Sequence, residues 1–388
     1  MIVRVENGGI VTSVGLLARA DIAVERGLVV RVTDADSHPA DEVIDLDGGW
    51  LLPGFIDTQV NGGGGVLFND HVEVDAIATI GAAHAKFGTT AFLPTLISDS
   101  PAMIAAALDA VDAAILAGVP GVVGVHVEGP FINEDKRGIH EADRIRRLDR
   151  AMLDLLCAPR RGRVMVTLAP EKCDADDIRT LARHGVAVSA GHTAATYDEA
   201  IAAVEAGVTG FTHLFNAMSP LHHRDPGAAG AALDSNAFCG LIVDGAHLHP
   251  AAVRIAVRTA GPDRIMLVTD AMPSVGTDAS EFMLQGKRIT VRGGVCLFED
   301  GTLAGAHLDM ASAVRNTLHT TGLAIADVSK MASGTPARFL AIGADHGAIA
   351  PGRRADWVWL DRDMQARQTW IGGMPVTDRT PALATATH

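Results

Sequence analysis

At 388 residues with 48% hydrophobic content, the chain can bury a large core, which excludes wholesale disorder. A formal net charge of -14 argues against a nucleic-acid protein, because phosphate backbones call for clustered Lys and Arg; it leaves room for a small anionic substrate that needs only one or two local cations. Aromatics make up only 4%, and an apolar mass of Ala, Val, Leu and Ile suits helices on a parallel sheet. Cys157, Cys173, Cys239 and Cys296 show no close spacing and are expected to be reduced and buried. Met-Ile-Val-Arg-Val-Glu-Asn begins like a strand rather than a leader, and no apolar run reaches the ~18 residues of a membrane span; the expected compartment is the cytoplasm.

Residues 1–52 read as short alternating strands, with Asn7-Gly8 as a hairpin signal. From residue 53 the texture changes to alternating strand-like and helix-like segments. Strands are expected near 54–60, 89–95, 121–128, 163–169, 185–190, 208–213, 239–244 and 264–269. The clearest helices start at Pro101, after Ser98-Asp99-Ser100, and at Thr196, ending on Gly207. From residue 343 short β-runs return, and the polar tail after about Thr380 is expected to fray. The fold class expected is α/β: a (β/α)8 barrel over 53–342, with 1–52 and 343–388 pairing into a small β-sandwich domain. An open, doubly wound sheet shares the local pattern, but would gather its polar residues at one switch point instead of at many strand ends.

Those strand ends carry the chemistry. The first, Phe55-Ile-Asp57-Thr-Gln59-Val-Asn61, offers neutral amides where a two-metal barrel would place His-x-His. The third, His126-Val-Glu128-Gly-Pro130, sets an imidazole and a carboxylate two residues apart on one side of a strand. With Ser-Ala-Gly-His192 and Thr-His213, Glu128 makes a donor set suited to a divalent ion. Asp270 ends an apolar strand, and a buried carboxylate needs a partner or a task. The task read here is general base toward the attacking water, then general acid toward a departing amine. His140 and His247 suit substrate contact or carbonyl polarisation, or are ordinary surface histidines. Arg224 is a natural fork for phosphate, or a solvated surface residue, and follows the amide donor Asn216.

Assembled, Pro53-Gly-Phe-Ile-Asp-Thr-Gln-Val-Asn-Gly62, Gly124-Val-His-Val-Glu-Gly-Pro-Phe131, Lys136-Arg-Gly-Ile-His140, Ala190-Gly-His-Thr193, Thr212-His-Leu-Phe-Asn-Ala-Met218, Asp244-Gly-Ala-His247 and Leu267-Val-Thr-Asp-Ala-Met272 resemble the N-acetylglucosamine-6-phosphate deacetylases of the amidohydrolase superfamily over nearly the whole length. The resemblance implies hydrolysis of N-acetylglucosamine 6-phosphate to glucosamine 6-phosphate and acetate, in amino-sugar breakdown. It implies one divalent ion per subunit on Glu128, His192 and His213: zinc first, with Fe2+, Co2+ or Mn2+ as alternatives. Asp270 and His140 are the implied catalytic pair. His140, Asn216, Ala217, Arg224, His247 and Leu303 are the implied substrate contacts. It also implies a homodimer in which Arg224 reaches the neighbouring site, with no nucleic-acid or membrane partner.

Gln59 and Asn61 match the one-metal branch, suited at most to a weak second ion. His126 then either serves that ion or orients Glu128 from behind, the latter being favoured. Where the chain departs from the pattern, at Ser219-Pro-Leu-His222-His223, His222 or His223 is a candidate addition to the phosphate site. The rival readings are a cyclic-amide or dipeptide hydrolase and a non-catalytic barrel scaffold. The first would want His-x-His and a mid-barrel Lys, whereas Lys172 follows Pro170, outside the expected mouth. The second would lack the ligand set that Glu128, His192, His213 and Asp270 retain.

Overall fold

In the computed structural model, which describes residues 1–34 and 39–377, eight parallel strands run in sequential order around a barrel. They are β1 (Phe55–Val60), β2 (Thr89–Ile97), β3 (Gly124–Glu128), β4 (Arg163–Leu168), β5 (Ala187–Ala190), β6 (Gly210–Phe211), β7 (Phe238–Leu241) and β8 (Ile265–Leu267). All eight fall where the apolar runs place them. Every residue of β1, β2 and β3 is buried, because the outer face meets helices and the inner face fills the barrel. The helix Pro101–Leu116 is capped by the Ser100 side chain, which accepts from Met103 N, and Tyr197–Ala206 by a Thr196/Glu199 capping box. Such a cap is worth ~1 kcal/mol.

The seam between β1 and β8 closes unusually. Backbone pairing is confined to Asp270 N donating to Gln59 O (3.0 Å), Asn61 N donating to Ala271 O (3.0 Å) and Gly62 N to the same carbonyl. Below them a side chain replaces the ladder: the buried Asp57 carboxylate accepts from Thr269 N, Thr269 Oγ1 and Gln59 N. Burial pushes this carboxyl up to about 7, against the pull of those three donors. Asp57 thereby fixes the strand end that carries Asp270 against the one that carries Gln59 and Asn61.

A four-stranded antiparallel sheet follows β8: β9 (Glu281–Leu284), β10 (Lys287–Arg292), β11 (Val295–Leu297) and β12 (Leu303–Ala306). The sequence reading did not anticipate it, although Gln285-Gly286 and Gly293-Gly294 sit at its turns with positive φ. The insert returns to the barrel mouth, where Met272 N donates to Ala306 O and Ala306 N to Asp270 O.

The terminal segments form two sheets. One contains Ile2–Glu6, Ala20–Glu25, Leu28–Thr33 and Glu42–Asp45; the other joins Gly9–Thr12, Gly15–Leu17 and Trp50–Pro53 to Trp357–Leu360, Ala366–Ile371 and Met374–Pro375. Val3, Val5 and Ile22 from the first sheet share one buried cluster with Ile10, Leu51 and Trp357 from the second. Asn7-Gly8 is not a hairpin turn. Ile2–Glu6 pairs with Ala20–Glu25 and Glu42–Asp45, whereas Gly9–Thr12 pairs in the other sheet, so this φ-positive corner (Asn7 φ 58°) switches the chain between sheets. A Cβ on Gly8 would sit 2.5 Å from Gly49 O, which restricts the corner to glycine. All four cysteines are free; Cys239 and Cys296 are buried, but Cys157 and Cys173 are only half-buried. The polar stretch after Thr380 lies outside the described residues. Among the described residues no helix is long and apolar enough to cross a membrane.

Candidate active site

Glu128, His192 and His213 meet at the C-terminal mouth of the barrel. Glu128 Oε1 lies 3.3 Å from His192 Nε2 and 3.2 Å from His213 Nε2, and the two ring nitrogens are 3.0 Å apart. Ligands held at ~2.0–2.1 Å around a tetrahedral ion stand ~3.3–3.4 Å from one another, so the spacing suits one small divalent cation. Proton accounting points the same way. His192 Nδ1 donates to Lys136 O at 2.8 Å, which leaves the lone pair on Nε2 facing the cluster. His213 Nδ1 is buried with no partner among the described residues. Three electron-rich atoms thus converge with at most one proton, on His213, to share among them. Burial alone would raise the Glu128 carboxyl, but hydrogen bonds and charge from the two rings hold it well below the usual carboxylate range. Burial likewise works against a charged His213, and Glu128 reverses it, raising that ring.

His140 also brings a ring nitrogen within 4.8 Å of donor atoms of Glu128 and His192. Its hydrogen bonds assign it another role. Ser98 N donates to His140 Nδ1 (3.1 Å) and Ser98 Oγ lies 2.7 Å from the same atom, so the neutral ring carries its proton on Nε2. Burial pushes His140 well below the ordinary histidine range and keeps it neutral. A neutral imidazole with Nε2–H is a hydrogen-bond donor to a carbonyl or an oxyanion, not a metal ligand. The lone pairs that could hold an ion are thus those of Glu128, His192 and His213, with His140 beside them as a donor.

Gln59 and Asn61 face the cluster as donors. Gln59 Nε2 bridges Glu128 Oε1 (2.9 Å) and Asp270 Oδ1 (3.1 Å), and Asn61 Nδ2 reaches Asp270 Oδ1 at 2.7 Å. Carboxylates only accept, so each amide must turn its NH2 inward, and no lone pair of theirs is offered to a second ion on that side. The two amides hold one Asp270 oxygen, and Oδ2 makes no hydrogen bond among the described residues. Burial and the Glu128 charge push Asp270 up to about 6, which places a base within reach of neutral pH.

His126 does not do what its spacing from Glu128 suggests. Its Nε2 lies 2.7 Å from Thr167 Oγ1 and its Nδ1 3.3 Å from Thr95 Oγ1, so both nitrogens are engaged away from Glu128. Two residues along a strand are also ~6.6 Å along its axis, which drops His126 one layer below the mouth. There Thr167 Oγ1 continues to Thr212 Oγ1 and on to Ser189 Oγ, each step 2.7 Å, a buried polar belt across β2 to β5 and the residue that follows β6. Burial lowers His126 to about 4, so it is neutral in this belt.

His192 (φ 48°), His213 (φ 34°) and Asp270 (φ 51°) all adopt the left-handed backbone region. For a non-glycine residue this costs ~1–3 kcal/mol and persists only where surrounding bonds enforce it. Four of the remaining candidates divide between two clefts. His140 and Leu303 line one of about 820 Å3 together with Arg137 and Lys287, between the β3 loop and the inserted sheet. Arg224 and His222 line another of about 650 Å3 beside Ala194 and Tyr197, which does not reach the Glu128 cluster within this chain. His222, rather than His223, faces that cleft; His223 packs on His222 with ring centroids 4.2 Å apart. Asn216 Nδ2 donates to His213 O and Leu214 O, and Ala217 O accepts from Thr193 N, so both shape the turn beside His213. His247 Nδ1 bonds Asp244 Oδ2 at 2.6 Å. Burial works against the Asp244 carboxyl, but the His247 ring and two backbone N–H groups hold it below its ordinary value.

Sequence reasoning passed over Ser98, Lys136 and Asp244, which set the tautomer or orientation of His140, His192 and His247. Ser98 and Asp244 follow strand ends and were open to the same positional rule. The Lys136 contribution is a backbone carbonyl, which side-chain identity does not signal. Lys172 pairs with Glu134 at 2.7 Å on the surface, outside the cluster as expected.

Residues 50–376 match the amidohydrolase family. The chain is 43% identical over 329 residues to an N-acetylgalactosamine-6-phosphate deacetylase from Shewanella sp. (strain ANA-3), covering 84% of this chain and 83% of that one. It is 36% identical over 378 residues to the Mus musculus N-acetylglucosamine-6-phosphate deacetylase, covering 92% of each. Among solved structures, N-acetylglucosamine-6-phosphate deacetylase from Pasteurella multocida superposes with a TM-score of 0.93 at 32% identity, over 97% of this chain and 99% of that one. A mutant of the Mycobacterium smegmatis enzyme, in complex with N-acetyl-D-glucosamine-6-phosphate, gives 0.88 at 32% identity, over 97% and 99%. The barrel, its mouth of histidines and carboxylates, and these likenesses place the chain in the amidohydrolase family.

Proposed function

We propose that the chain hydrolyses the acetamide of an N-acetylhexosamine 6-phosphate, releasing acetate and the free amine, with N-acetylglucosamine 6-phosphate as the substrate its motifs favour. The observation that carries this reading is the arrangement of three lone-pair donors beside a carboxylate with one free oxygen and a neutral imidazole donor. Glu128, His192 and His213 would hold one divalent ion, zinc before Fe2+, Co2+ or Mn2+, which when bound supplies Lewis acidity to carbonyl and water. Asp270, with Oδ1 tied to Gln59 and Asn61, takes the proton of the attacking water on Oδ2 and returns it to the leaving nitrogen. His140 donates from Nε2 to the acetamide oxygen as negative charge develops there. Ser98 guarantees that the proton is on that nitrogen.

His247, Asn216, the Ala217 backbone and Arg224 recognise the phosphosugar, Leu303 packs against it, and His222 is the better placed of the histidine pair to assist. The Arg224 cleft stands apart from the cluster within one chain, which supports a homodimer whose Arg224 serves the neighbouring site. The enzyme is assigned to the cytoplasm. A second reading, the galactose-configured epimer as substrate, is supported by the 43% identity to the Shewanella N-acetylgalactosamine-6-phosphate deacetylase. The test is acetate release from both N-acetylhexosamine 6-phosphates and from unphosphorylated N-acetylglucosamine. Arg224→Ala should raise KM for the phosphorylated sugars about 10-fold or more, the worth of a charge-assisted contact, and leave the neutral sugar unaffected. Equal rates on phosphorylated and neutral sugars would remove the phosphate from the proposal.

A further inference from the structure

We propose that Glu171 is the residue that locks His192 into its ligating conformation, a positioning residue for the metal; this rests on the ligand set proposed above. Glu171 stands in the short turn Pro170–Lys172 after β4, a strand that sends no ligand to the cluster. Its carboxylate reaches both neighbouring loops. Oε1 accepts from Asn133 Nδ2 (2.9 Å), in the loop after β3, and from Ala194 N (2.7 Å), in the loop after β5. Oε2 accepts from Thr193 Oγ1 at 2.5 Å.

These are the two loops that define His192. Asn133 N donates to His192 O (2.9 Å), and three residues further on Lys136 O takes the His192 Nδ1 proton. On the other side, Thr193 N donates to Ala217 O and Ser219 N to Thr193 O, which ties the His192 turn to the segment following His213. His192 sits at the centre with φ 48°, a conformation that an unsupported non-glycine residue would leave. Only a carboxylate at 171 offers acceptors to a side-chain amide, a hydroxyl and a backbone N–H at once, with no competing donor. The turn is thus gripped by one anion, and the grip sets both the ring's backbone and the carbonyl that fixes its tautomer.

The experiment measures metal binding. Glu171→Ala is expected to raise the Zn2+ Kd, read by chelator competition, about 10- to 100-fold, the usual cost of losing an orienting partner of a ligand. It should also change the visible spectrum of the Co2+-substituted protein. Glu171→Gln, which keeps acceptors but turns an N–H toward one donor, is expected to fall between. Thr193→Ala, which deletes one of the three bonds, gives a smaller rise and serves if Glu171→Ala does not fold. Thermal midpoints in EDTA accompany each variant. A Kd and Co2+ spectrum unchanged in Glu171→Ala would overturn the proposal. So would losses of affinity that merely track a falling midpoint of the metal-free protein, which would make Glu171 a general fold residue. A native chain that binds no Zn2+ or Co2+ would overturn the ligand set itself, and this inference with it.

Discussion

Asn61 offers the sharpest test of how the barrel mouth tunes its base. Its Nδ2 donates to Asp270 Oδ1 at 2.7 Å, and this bond favours the ionised carboxylate. A hydrogen bond to a charged group is worth ~1.5–3 kcal/mol, and 1.36 kcal/mol corresponds to one pH unit. Asn61→Ala should therefore raise the Asp270 pKa by about one to two pH units, starting from the value near 6 that burial and Glu128 set. Asp270 must be ionised to accept a proton, so activity is present above its pKa and lost as pH falls through it. The acid limb of kcat/KM, which reports the free enzyme, should accordingly move up by about one to two pH units in the variant. At high pH the two enzymes should converge to within a few-fold. The assay is amine or acetate release across pH 5 to 9 with metal in excess. An acid limb that stays in place would refute the tuning argument, and a uniform loss at every pH would mean that Asn61 acts on something other than this equilibrium.

Three further outcomes follow from the same geometry. Chelation should abolish deacetylation and Zn2+ should restore it, while Glu128→Gln, which removes the anion facing both rings, should lower metal content from one ion per chain to a small fraction by elemental analysis; stoichiometric metal in that variant would exclude Glu128 as a ligand. Thr167→Val keeps the shape of a side chain whose hydroxyl joins His126 to Thr212, so it should lose ~1–3 kcal/mol of unfolding free energy in denaturant titration for the stranded partners; native-like stability would show that the belt contributes nothing to the fold.

The barrel was legible because its strands are buried on both faces and read as apolar runs, several of them ending in a candidate site residue. Glu128, His192, His213 and Asp270 could be picked out for that reason. What escaped had no such periodicity. The 281–306 sheet is half-exposed, with Glu281, Lys287 and Arg288 on its strands, and its turn signals were the only clue. His126 was misread because a period of two fixes which side of a strand a residue faces, not the depth at which it sits. Asn7-Gly8 was misread because local turn chemistry fixes a corner without saying which strands will pair across it. Ser98, Lys136 and Glu171 act through hydrogen bonds between loops distant in sequence, which no single segment reveals.

The left-handed backbones of His192, His213 and Asp270 have an evolutionary side. Glycine would sit more easily in each of the three backbones, but it would also strand the buried partners that these side chains satisfy, Glu128 for the two rings and Gln59 and Asn61 for Asp270. The strain and the polar contacts are therefore inherited together, and no single substitution at these positions relaxes one without forfeiting the other.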